Sequence, residues 1–327
     1  MIYHIVPSGD NTSIHKISSA CIAASGEKYE IIKNNNFFKL IIDVILLNFK
    51  INEKATIVHV HYPIGIMVSS FFLWRGRLVI SIHDEGYKLF SLYLNKFLSI
   101  IMIYMIYMAI WKSNVVIFPS KSTLKNYPKK FINKYKVINN FSNYLMPLHN
   151  LDNGDINFSE IFILADKRLY VKGVDYLFNI PNEIKVNIYG VNEVDIKKYF
   201  NLGYLPKNIT AHGFSKSELI YKKVIEAKGI VIITSRTEGM PLVSLECLLN
   251  SIPLVVNALE VFDEYLPEFY FPRFKSSDID SILNALKKCS KISITERNFI
   301  ANSSREKYNF ISYVSSVREN VYNGGIN

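Results

Sequence analysis

The chain has 327 residues, of which 49% are hydrophobic and 20% charged, with 14 glycines and 11 prolines. This composition excludes a disordered or fibrous protein and fits about two globular domains. The net charge of +10 lies in the first half, because residues 1–150 hold 17 Lys or Arg against 7 Asp or Glu, whereas residues 151–327 hold 21 of each.

The first half alternates apolar, β-branched runs with helical stretches. Strands are predicted at residues 2–6, 56–61, 77–83, 114–120 and 136–140, with helices at residues 13–24 and 37–48. Apolar runs of this kind are typical of parallel strands that are buried on both faces. Their alternation with helices predicts a doubly wound sheet.

One segment of this half, Phe97–Trp111, is apolar and carries no charge between Lys96 and Lys112. It is shorter than the ~20 residues that cross the hydrocarbon core of a bilayer, so we do not predict a spanning helix. Two interpretations stay open: a helix buried in the domain core, which we favour, or a helix that lies in a membrane interface.

The second half repeats the alternation after residues 143–155, which are rich in Asn, Asp, Pro and Gly and form the best linker candidate. Strands are predicted at residues 160–165, 185–190, 208–213, 229–235 and 252–256, and helices at residues 173–178, 216–227, 241–250 and 302–322. We therefore predict an α/β protein of two Rossmann-like, doubly wound parallel-sheet domains that face each other across a cleft. Ligands of such sheets bind outside the carboxyl ends of the strands.

Residues 229–256 join a buried strand to a turn and then to a helix, with Pro241 suited to the first helical turn. Unpaired N–H groups at the start of a helix, together with the helix dipole, form an anion site that fits a diphosphate. Gly239 lets the backbone approach such a ligand closely. The segment therefore predicts a phosphate-binding corner.

Glu238 and Glu246 stand eight residues apart around this corner and cannot share one helix face. The spacing argues against a carboxylate pair on one bond and for two separate tasks along a ligand. A carboxylate that accepts two hydrogen bonds suits the vicinal hydroxyls of ribose. The spacing alone fits equally well a capping residue at Glu238 and a solvated helix residue at Glu246.

The corner resembles the retaining glycosyltransferases of family 4, whose hallmark is Glu-x7-Glu within Ser-x-x-Glu-Gly-x-Pro-Leu. The matching residues are Ser235, Glu238, Gly239, Pro241, Leu242 and Glu246. The resemblance implies the two-domain GT-B fold, with Glu246 on the nucleotide ribose and Glu238 facing the donor sugar as a catalytic residue. It also implies that the sugar and diphosphate are held by the backbone around Gly239, Met240, Pro241, Leu242 and Val243.

Upstream, residues 164–177 resemble the family segment that supplies two cations to the departing diphosphate. Lys172 matches this pattern and is a candidate catalytic residue, since neutralising developing charge stabilises the transition state. Arg168 is the second candidate; because the usual spacing is longer by about one residue, either Arg168 or Lys167 fills that place, or neither does. Gly213 and Phe214 resemble the strand end that contacts the base, and fit a plain turn equally well.

In the first half, His83 stands at the end of a predicted strand where the resemblance implies a catalytic His beside the reacting sugar, with Asp84 assisting. Gly9 lies in the place of the family's first glycine-rich loop, on the acceptor side, although the usual Gly-Gly pair is absent. We expect His61 to line the cleft on the same side. His59 and His61 share a strand face, but no third ligand stands out and no metal is assigned.

The resemblance implies domains at residues 1–150 on the acceptor side and 151–303 on the nucleotide-sugar side, with a helix at 304–327 that packs back on the first. It implies transfer with retention from a nucleoside diphosphate sugar, UDP- or GDP-linked, without a further cofactor. By analogy, the acceptor is a lipid-linked or lipopolysaccharide glycan of bacterial surface polysaccharide, such as O-antigen or capsule. The alternatives are a nucleotide-sugar epimerase and a catalytically silent partner subunit.

The remaining expectations concern the location of the chain. Its first residues form a strand without a basic leader, and Cys21, Cys247 and Cys289 are odd in number and widely spaced, which fits a reducing cytoplasm. The basic first half fits either scattered solvated lysines or an anionic membrane, which leaves open a peripheral position on the inner face of the cytoplasmic membrane. No nucleic-acid-binding motif accompanies the charge, so nucleic acid is not an expected partner.

Overall fold

The computed structural model describes residues 1–6, 13–26, 29–33, 36–51, 56–61, 63–71, 74, 76–83, 91–92, 94–148 and 156–323. The chain forms two compact units, one made of Met1–Phe141 with Tyr308–Asn327 and the other of Ser142–Lys307. The tail after Lys307 therefore belongs to the first unit.

Each unit contains one six-stranded parallel sheet. The strands of the first sheet are β1 (Ile2–Val6), β2 (Tyr29–Lys33), β3 (Ile57–Val60), β4 (Arg77–Ser81), β5 (Val115–Phe118) and β6 (Tyr135–Val137). Those of the second are β7 (Glu160–Leu164), β8 (Lys185–Tyr189), β9 (Ile209–Ala211), β10 (Ile230–Ile233), β11 (Leu254–Asn257) and β12 (Arg273–Phe274). Their spatial orders, β2-β1-β3-β4-β5-β6 and β12-β11-β10-β7-β8-β9, reverse direction once in each sheet, as in doubly wound folds.

Helices connect these strands. In the first unit they are α1 (Ser13–Ser25), α2 (Phe37–Lys50), α3 (Pro63–Ser69), α4 (Lys96–Lys112) and α5 (Lys121–Lys125). In the second they are α6 (Glu193–Phe200), α7 (Ser217–Glu226), α8 (Leu242–Leu249), α9 (Glu260–Asp263), α10 (Ile279–Ser290) and α11 (Ile294–Lys307), and α12 (Phe310–Val317) returns to the first unit. Short 3₁₀ turns occupy Lys129–Lys134 and Val174–Asn179, and a π turn occupies Arg318–Asn323.

Several helices begin where a short polar side chain caps the first turn. Asn36 accepts a hydrogen bond from the backbone N–H of Lys39 at the start of α2, and Asn95 accepts one from Leu98 at the start of α4. Each cap satisfies an amide that has no partner within the helix and contributes about 1 kcal/mol. The starts of these helices are therefore fixed by local sequence.

The first unit covers its sheet on both faces. Tyr3 and Ile5 of β1 pack in one apolar core with helices α2, α3 and α4. His4 lies between them in sequence and so points to the opposite face of the sheet, where its Nε2 lies 3.3 Å from Ser25 Oγ at the end of α1. Helix α12 packs against α1 on that second face. In the second unit, a separate core joins β7, β8 and β10 with α10.

The predicted fold class, two doubly wound parallel sheets, is confirmed. The sequence patterns missed the edge strand β2 and the short helix α3. They also predicted a continuous helix at residues 302–322, whereas the structure ends α11 at Lys307 and begins α12 at Phe310, with Asn309 as its cap.

The favoured interpretation of Phe97–Trp111 as a buried helix is wrong for most of its length. The segment forms α4, but only Ser99, Ile106, Ala109 and Ile110 are buried. Large apolar side chains on its other side, among them Phe97, Ile100 and Tyr104, are exposed. Among the described residues, no helix combines the length and hydropathy needed to span a bilayer.

Candidate active site

The candidate site lies at the carboxyl edge of the second sheet, where β10 turns into α8. Strand β10 is buried along its whole length, and residues 234–241 form the turn that follows it. Pro241 is the residue that precedes the helix, and no side chain caps the first turn. Glu238 is therefore not a helix cap, which excludes the capping interpretation of that residue.

Lys172, in the loop that follows β7, forms an ion pair with Glu238 of this turn. The Nζ atom of Lys172 lies 2.8 Å from Oε1 of Glu238, and their side chains are only 18% and 12% exposed. Both residues line one small cavity together with Thr234, Ser235 and Pro241. The structure thus joins the cation of the upstream segment to the carboxylate of the corner.

Gly173 explains how Lys172 reaches this position. Its φ of +64° lies in the left-handed region, and a Cβ atom at this residue would lie 2.1 Å from the carbonyl oxygen of Thr234. Only glycine permits that approach. The hydroxyl of Thr234 in turn donates a hydrogen bond of 2.6 Å to the carbonyl of Lys172. The loop that contains Lys172 and Gly173 is therefore held close to the backbone at the end of β10.

Glu246 is 2% exposed, which contradicts its interpretation as a solvated helix residue. The hydroxyl of Tyr221 on α7 donates to its Oε2 atom over 2.7 Å. Burial raises the pKa of Tyr221 well above its ordinary value, and the nearby Glu246 carboxylate raises it further. Tyr144 stacks on Tyr221 with ring centroids 5.5 Å apart. The carboxylate therefore sits in an aromatic, largely desolvated environment.

Arg168 points to a different carboxylate. Its guanidinium forms a bidentate contact with Asp166, the shortest N–O distance being 2.6 Å. Burial by itself raises the pKa of Asp166, but the hydrogen bonds from Arg168 and the charges of Lys172 and Arg168 outweigh it and lower that pKa. Lys167, the alternative candidate, is exposed. Asp166 thus links Arg168 electrostatically to Lys172.

Sequence reasoning missed the residues that hold the corner in place. Arg236 forms a bidentate ion pair with Asp175 at 2.8 and 2.6 Å. Its guanidinium lies between the rings of Tyr170 and Tyr176, 3.7 and 4.1 Å from their centroids. Planar stacking and paired donors are the special properties of arginine. The only sequence signal was the position of Arg236 between two residues of the motif.

Ser235, in the turn that follows β10, is held by a hydrogen bond from the neighbouring strand. It is buried, and its carbonyl accepts a hydrogen bond of 2.9 Å from Nδ2 of Asn257 on β11. Gly239 and Met240 are also buried, whereas Val243 is partly exposed and Leu242 is 8% exposed. The central residues of the predicted donor segment are therefore packed tightly, and a ligand would meet chiefly their backbone.

Gly213 and Phe214 follow β9 on the far side of the same sheet. Gly213 has a φ of +68° and accepts a hydrogen bond of 2.7 Å from the backbone N–H of Gly190. The Phe214 side chain is 74% exposed. The arrangement is a left-handed turn that presents an aromatic ring to solvent.

In the first unit, Gly9 and Asp84 lie outside the described residues. His83 lies two residues after the end of β4. Its Nε2 atom is enclosed and has no hydrogen-bond partner among the described residues. Burial lowers the pKa of His83 to about 4, while a hydrogen bond to the backbone of His61 acts in the opposite direction. His83 is therefore neutral near pH 7.

His61 is completely buried, and this corrects the expectation of a cleft-lining side chain. Its Nε2 atom lies 3.0 Å from Nδ1 of His4, and its ring lies 3.9 Å from that of His59. His59 contacts the hydroxyls of Tyr322 and Ser81 at 2.7 and 2.8 Å. Strand alternation directs these rings to the face covered by the C-terminal segment.

One ring nitrogen of each of His4, His59 and His61 lies within 4.8 Å of the other two. The sequence did not reveal His4 as a third member, because β1 becomes a neighbour of β3 only in the folded sheet. Burial lowers the pKa of His4 to about 3 and those of the other two well below 6.5. Both nitrogens of His59 already have hydrogen-bond partners, so we interpret the cluster as a neutral core network.

No protein-family model matches the chain, and no curated protein matches it in sequence. Solved structures do match. Sucrose-phosphate synthase from Thermosynechococcus elongatus is 14% identical, with a TM-score of 0.70 over 99% of this chain and 98% of that one. HepE from Anabaena, in complex with UDP and glucose, is 15% identical, with a TM-score of 0.71 over 98% and 99%.

A third solved structure, the lipopolysaccharide outer core galactosyltransferase WaaB in its apo form, is 11% identical, with a TM-score of 0.61 over 99% of this chain and 100% of that one. The chain has the GT-B fold. Within the second unit of this GT-B chain, Lys172, Glu238 and Glu246 all belong to elements at or beyond the carboxyl edge of β7 and β10.

Proposed function

We propose that the chain is a glycosyltransferase that moves a sugar from a nucleoside diphosphate donor to an acceptor hydroxyl with retention of configuration. The observation that carries this proposal is the Lys172–Glu238 pair, held at the start of α8 in a GT-B fold. A cation, a carboxylate and a helix N-terminus are thereby concentrated at one strand end, which suits a ligand with a diphosphate next to a sugar.

In this proposal the diphosphate binds at the start of α8 and takes Lys172 as its counter-ion. Lys172 neutralises the charge that develops as the diphosphate leaves, which lowers the barrier most when it acts in the transition state. Glu238 then exchanges its ion pair for hydrogen bonds to the sugar. Arg168 is the second cation, after release from the exposed Asp166 contact.

Glu246 binds the ribose hydroxyls in the same proposal, and the backbone near Gly213 and Phe214 contacts the base. The carboxylate of Glu246 is 2% exposed and accepts a hydrogen bond from Tyr221, and a charged acceptor forms strong hydrogen bonds in a desolvated site. We carry over from the family resemblance a catalytic role for His83 and acceptor-side roles for Asp84 and Gly9.

The solved GT-B structures support this choice of ligand. HepE was solved with UDP and glucose, and WaaB is named a galactosyltransferase of the lipopolysaccharide outer core. We propose a UDP- or GDP-linked sugar as the donor, no further cofactor, and a lipid-linked or lipopolysaccharide glycan of a bacterial surface polysaccharide as the acceptor. The proposed location is the cytoplasm, at the inner face of the membrane.

A thermal-shift screen of UDP, GDP and their sugars tests the donor half of this proposal. A donor at 100 times its Kd stabilises the folded state by about 2.7 kcal/mol, which corresponds to a rise of roughly 5–10 °C in Tm for a domain of this size. Adenosine diphosphate serves as the matched diphosphate control. If no uridine or guanosine diphosphate raises Tm, the donor assignment is wrong.

Product analysis with the stabilising donor tests the reaction itself. Release of the nucleoside diphosphate together with free or transferred sugar supports a transferase, and an α-anomeric product from an α-linked donor supports retention. Conversion of the donor into an isomeric nucleotide sugar without release of nucleoside diphosphate would identify an epimerase instead. A chain that binds donor yet never consumes it, even with lipid-linked acceptors, would be a silent subunit.

A further inference from the structure

Helix α4 presents an apolar stripe to solvent. Phe97, Ile100, Tyr104 and Trp111 are 72%, 56%, 63% and 55% exposed. Their spacings of three, four and seven residues place them along one side of a helix. The inner side contributes Ile106, Ala109 and Ile110 to the core of the first unit. The helix is therefore apolar on both sides, and large side chains of its outer side are exposed to solvent.

Helix α2 carries a second stripe of the same kind. Phe38, Ile42, Leu46 and Phe49 are 76%, 56%, 57% and 77% exposed and recur every three or four residues. As in α4, the opposite side of α2 packs into the core of the first unit. This outward apolar side is again largely exposed to solvent.

The two stripes belong to one face of the first unit. Helices α2 and α4 both contact α3 and join the same core on the same side of the sheet. Their outward sides therefore both point away from that sheet. We call this surface, made of the two outward stripes, the apolar face. Soluble monomers seldom expose so many large apolar side chains together, and such a surface usually marks an interaction site.

Positive charge accompanies the apolar face. Lys39 and Lys50 lie on α2 and Lys96 begins α4, and all three are exposed. At the other end of α4, Lys134 donates a hydrogen bond of 2.7 Å to the carbonyl of Trp111. Asp43 is the only acidic residue within the two helices. Lysines beside apolar and aromatic side chains are the composition of helices that lie in the headgroup region of anionic membranes.

We propose that the apolar face is a membrane-docking surface, on which α2 and α4 lie in the plane of a bilayer that contains anionic lipid. The phenylalanines and isoleucines enter the acyl boundary, Tyr104 and Trp111 stay at the level of the headgroups, and the lysines contact lipid phosphates. This inference deepens the proposed function, since it assigns the surface that brings the chain to a lipid-linked acceptor. We propose a lipid surface rather than a second copy of the chain, because a contact between two copies would bring these lysines together, and like charges repel.

Vesicle sedimentation with the full chain tests the proposal. Vesicles of phosphatidylcholine with 30% phosphatidylglycerol should bind the chain more than tenfold better than phosphatidylcholine alone at low salt, because each lysine near an anionic surface contributes about a fivefold gain. The variant Ile42→Gln/Phe49→Gln/Phe97→Gln/Tyr104→Gln should lose this binding. These side chains are exposed, so we expect its Tm to stay within a few degrees of the parent value.

Ile311→Gln provides the matched control, because Ile311 is 77% exposed but lies on α12, which packs on the opposite side of the sheet. This variant should bind vesicles as the parent chain does. Equal loss in both variants, or unchanged binding in the quadruple variant, would overturn the proposal. The same holds if the quadruple variant converts a solution dimer into a monomer while the parent chain never binds vesicles.

Tryptophan fluorescence reports the orientation of α4. The chain has two tryptophans, and Trp111 lies at the outward end of α4, whereas Trp74 packs partly against the core. In a Trp74→Phe background, brominated lipids should quench Trp111. Absence of quenching in membrane-bound protein would show that this face does not contact the lipid.

Donor-induced thermal stabilisation is measured on the same variants, so that the two proposals can fail separately. Loss of vesicle binding with intact donor binding leaves the proposed function standing. Loss of donor binding with intact vesicle binding leaves the docking proposal standing.

Discussion

The ammonium of Lys172 donates to the carboxylate of Glu238 at 2.8 Å, although 66 residues separate the two in sequence. Both side chains are largely shielded from water. A shielded ion pair stabilises a fold little, because its desolvation offsets its attraction, whereas the loss of one partner leaves an unpaired charge. In the proposed function, an anionic ligand replaces Glu238 as the partner of Lys172.

Replacement of Lys172 tests its role on the leaving group. We expect Lys172→Ala to lower kcat by about 10²–10³-fold, the range measured for removal of one group that stabilises developing charge. Lys167→Ala, at an exposed neighbouring cation, should leave kcat within twofold. Steady-state kinetics with saturating donor provides the measurement. Comparable rates for the two variants would remove Lys172 from the proposed mechanism.

Replacement of Glu246 tests ribose recognition. Glu246→Gln keeps the shape of the side chain but removes its charge, so we expect nucleoside diphosphate binding to weaken by about 10–100-fold, the loss of one or two charge-assisted hydrogen bonds. Isothermal titration calorimetry measures this change. A matched variant, Glu193→Gln at an exposed position on α6, should bind as the parent chain does. Unchanged affinity in Glu246→Gln would contradict ribose binding.

Alanine variants of Gly173 and Gly213 distinguish the cost of backbone strain from the cost of a steric clash. Both have positive φ, but a Cβ at Gly173 meets the carbonyl oxygen of Thr234 at 2.1 Å, whereas a Cβ at Gly213 meets nothing within 4 Å. Gly213→Ala should cost about 1–3 kcal/mol from strain alone. Gly173→Ala should cost more and reduce activity further, because it displaces Lys172. Chemical denaturation of both variants, followed by activity assays, checks this order.

The buried histidines predict acid lability of the first unit. Their pKa values in the folded chain lie below the ordinary 6.5, at about 3 for His4 and about 4 for His83. Below pH 6.5 the unfolded chain therefore binds protons that the folded chain does not, so stability is lost as pH falls from 6.5 towards 4. Each such histidine contributes a slope of about 1.4 kcal/mol per pH unit once fully engaged.

Unfolding free energies measured between pH 7 and pH 5 test this slope. His4→Gln should lower stability at pH 7, since its hydrogen bonds to His61 and Ser25 are lost, but it should also reduce the slope by about one proton. A stability that stays constant over this range would show that the histidines titrate normally in the folded chain.

The sequence alone was sufficient for the local features. Buried strands such as β5 and β10 follow from unbroken apolar runs, which are typical of a parallel sheet covered on both faces. The corner from Ser235 to Glu246 could also be located, because a strand, a turn and a helix start are contiguous in the chain. Edge strand β2 escaped prediction, since its residues are mostly exposed and lack the run that marks a central strand.

Only the tertiary structure decided which distant groups meet. Tyr221 reaches Glu246, and His4 reaches His61, through packing and strand order that no local pattern encodes. The same reason explains the error at α4, whose sequence is apolar on every side and so contains no information about which side is covered. Periodicity reports how a segment folds, whereas the length and position of its neighbours determine what stays in contact with water.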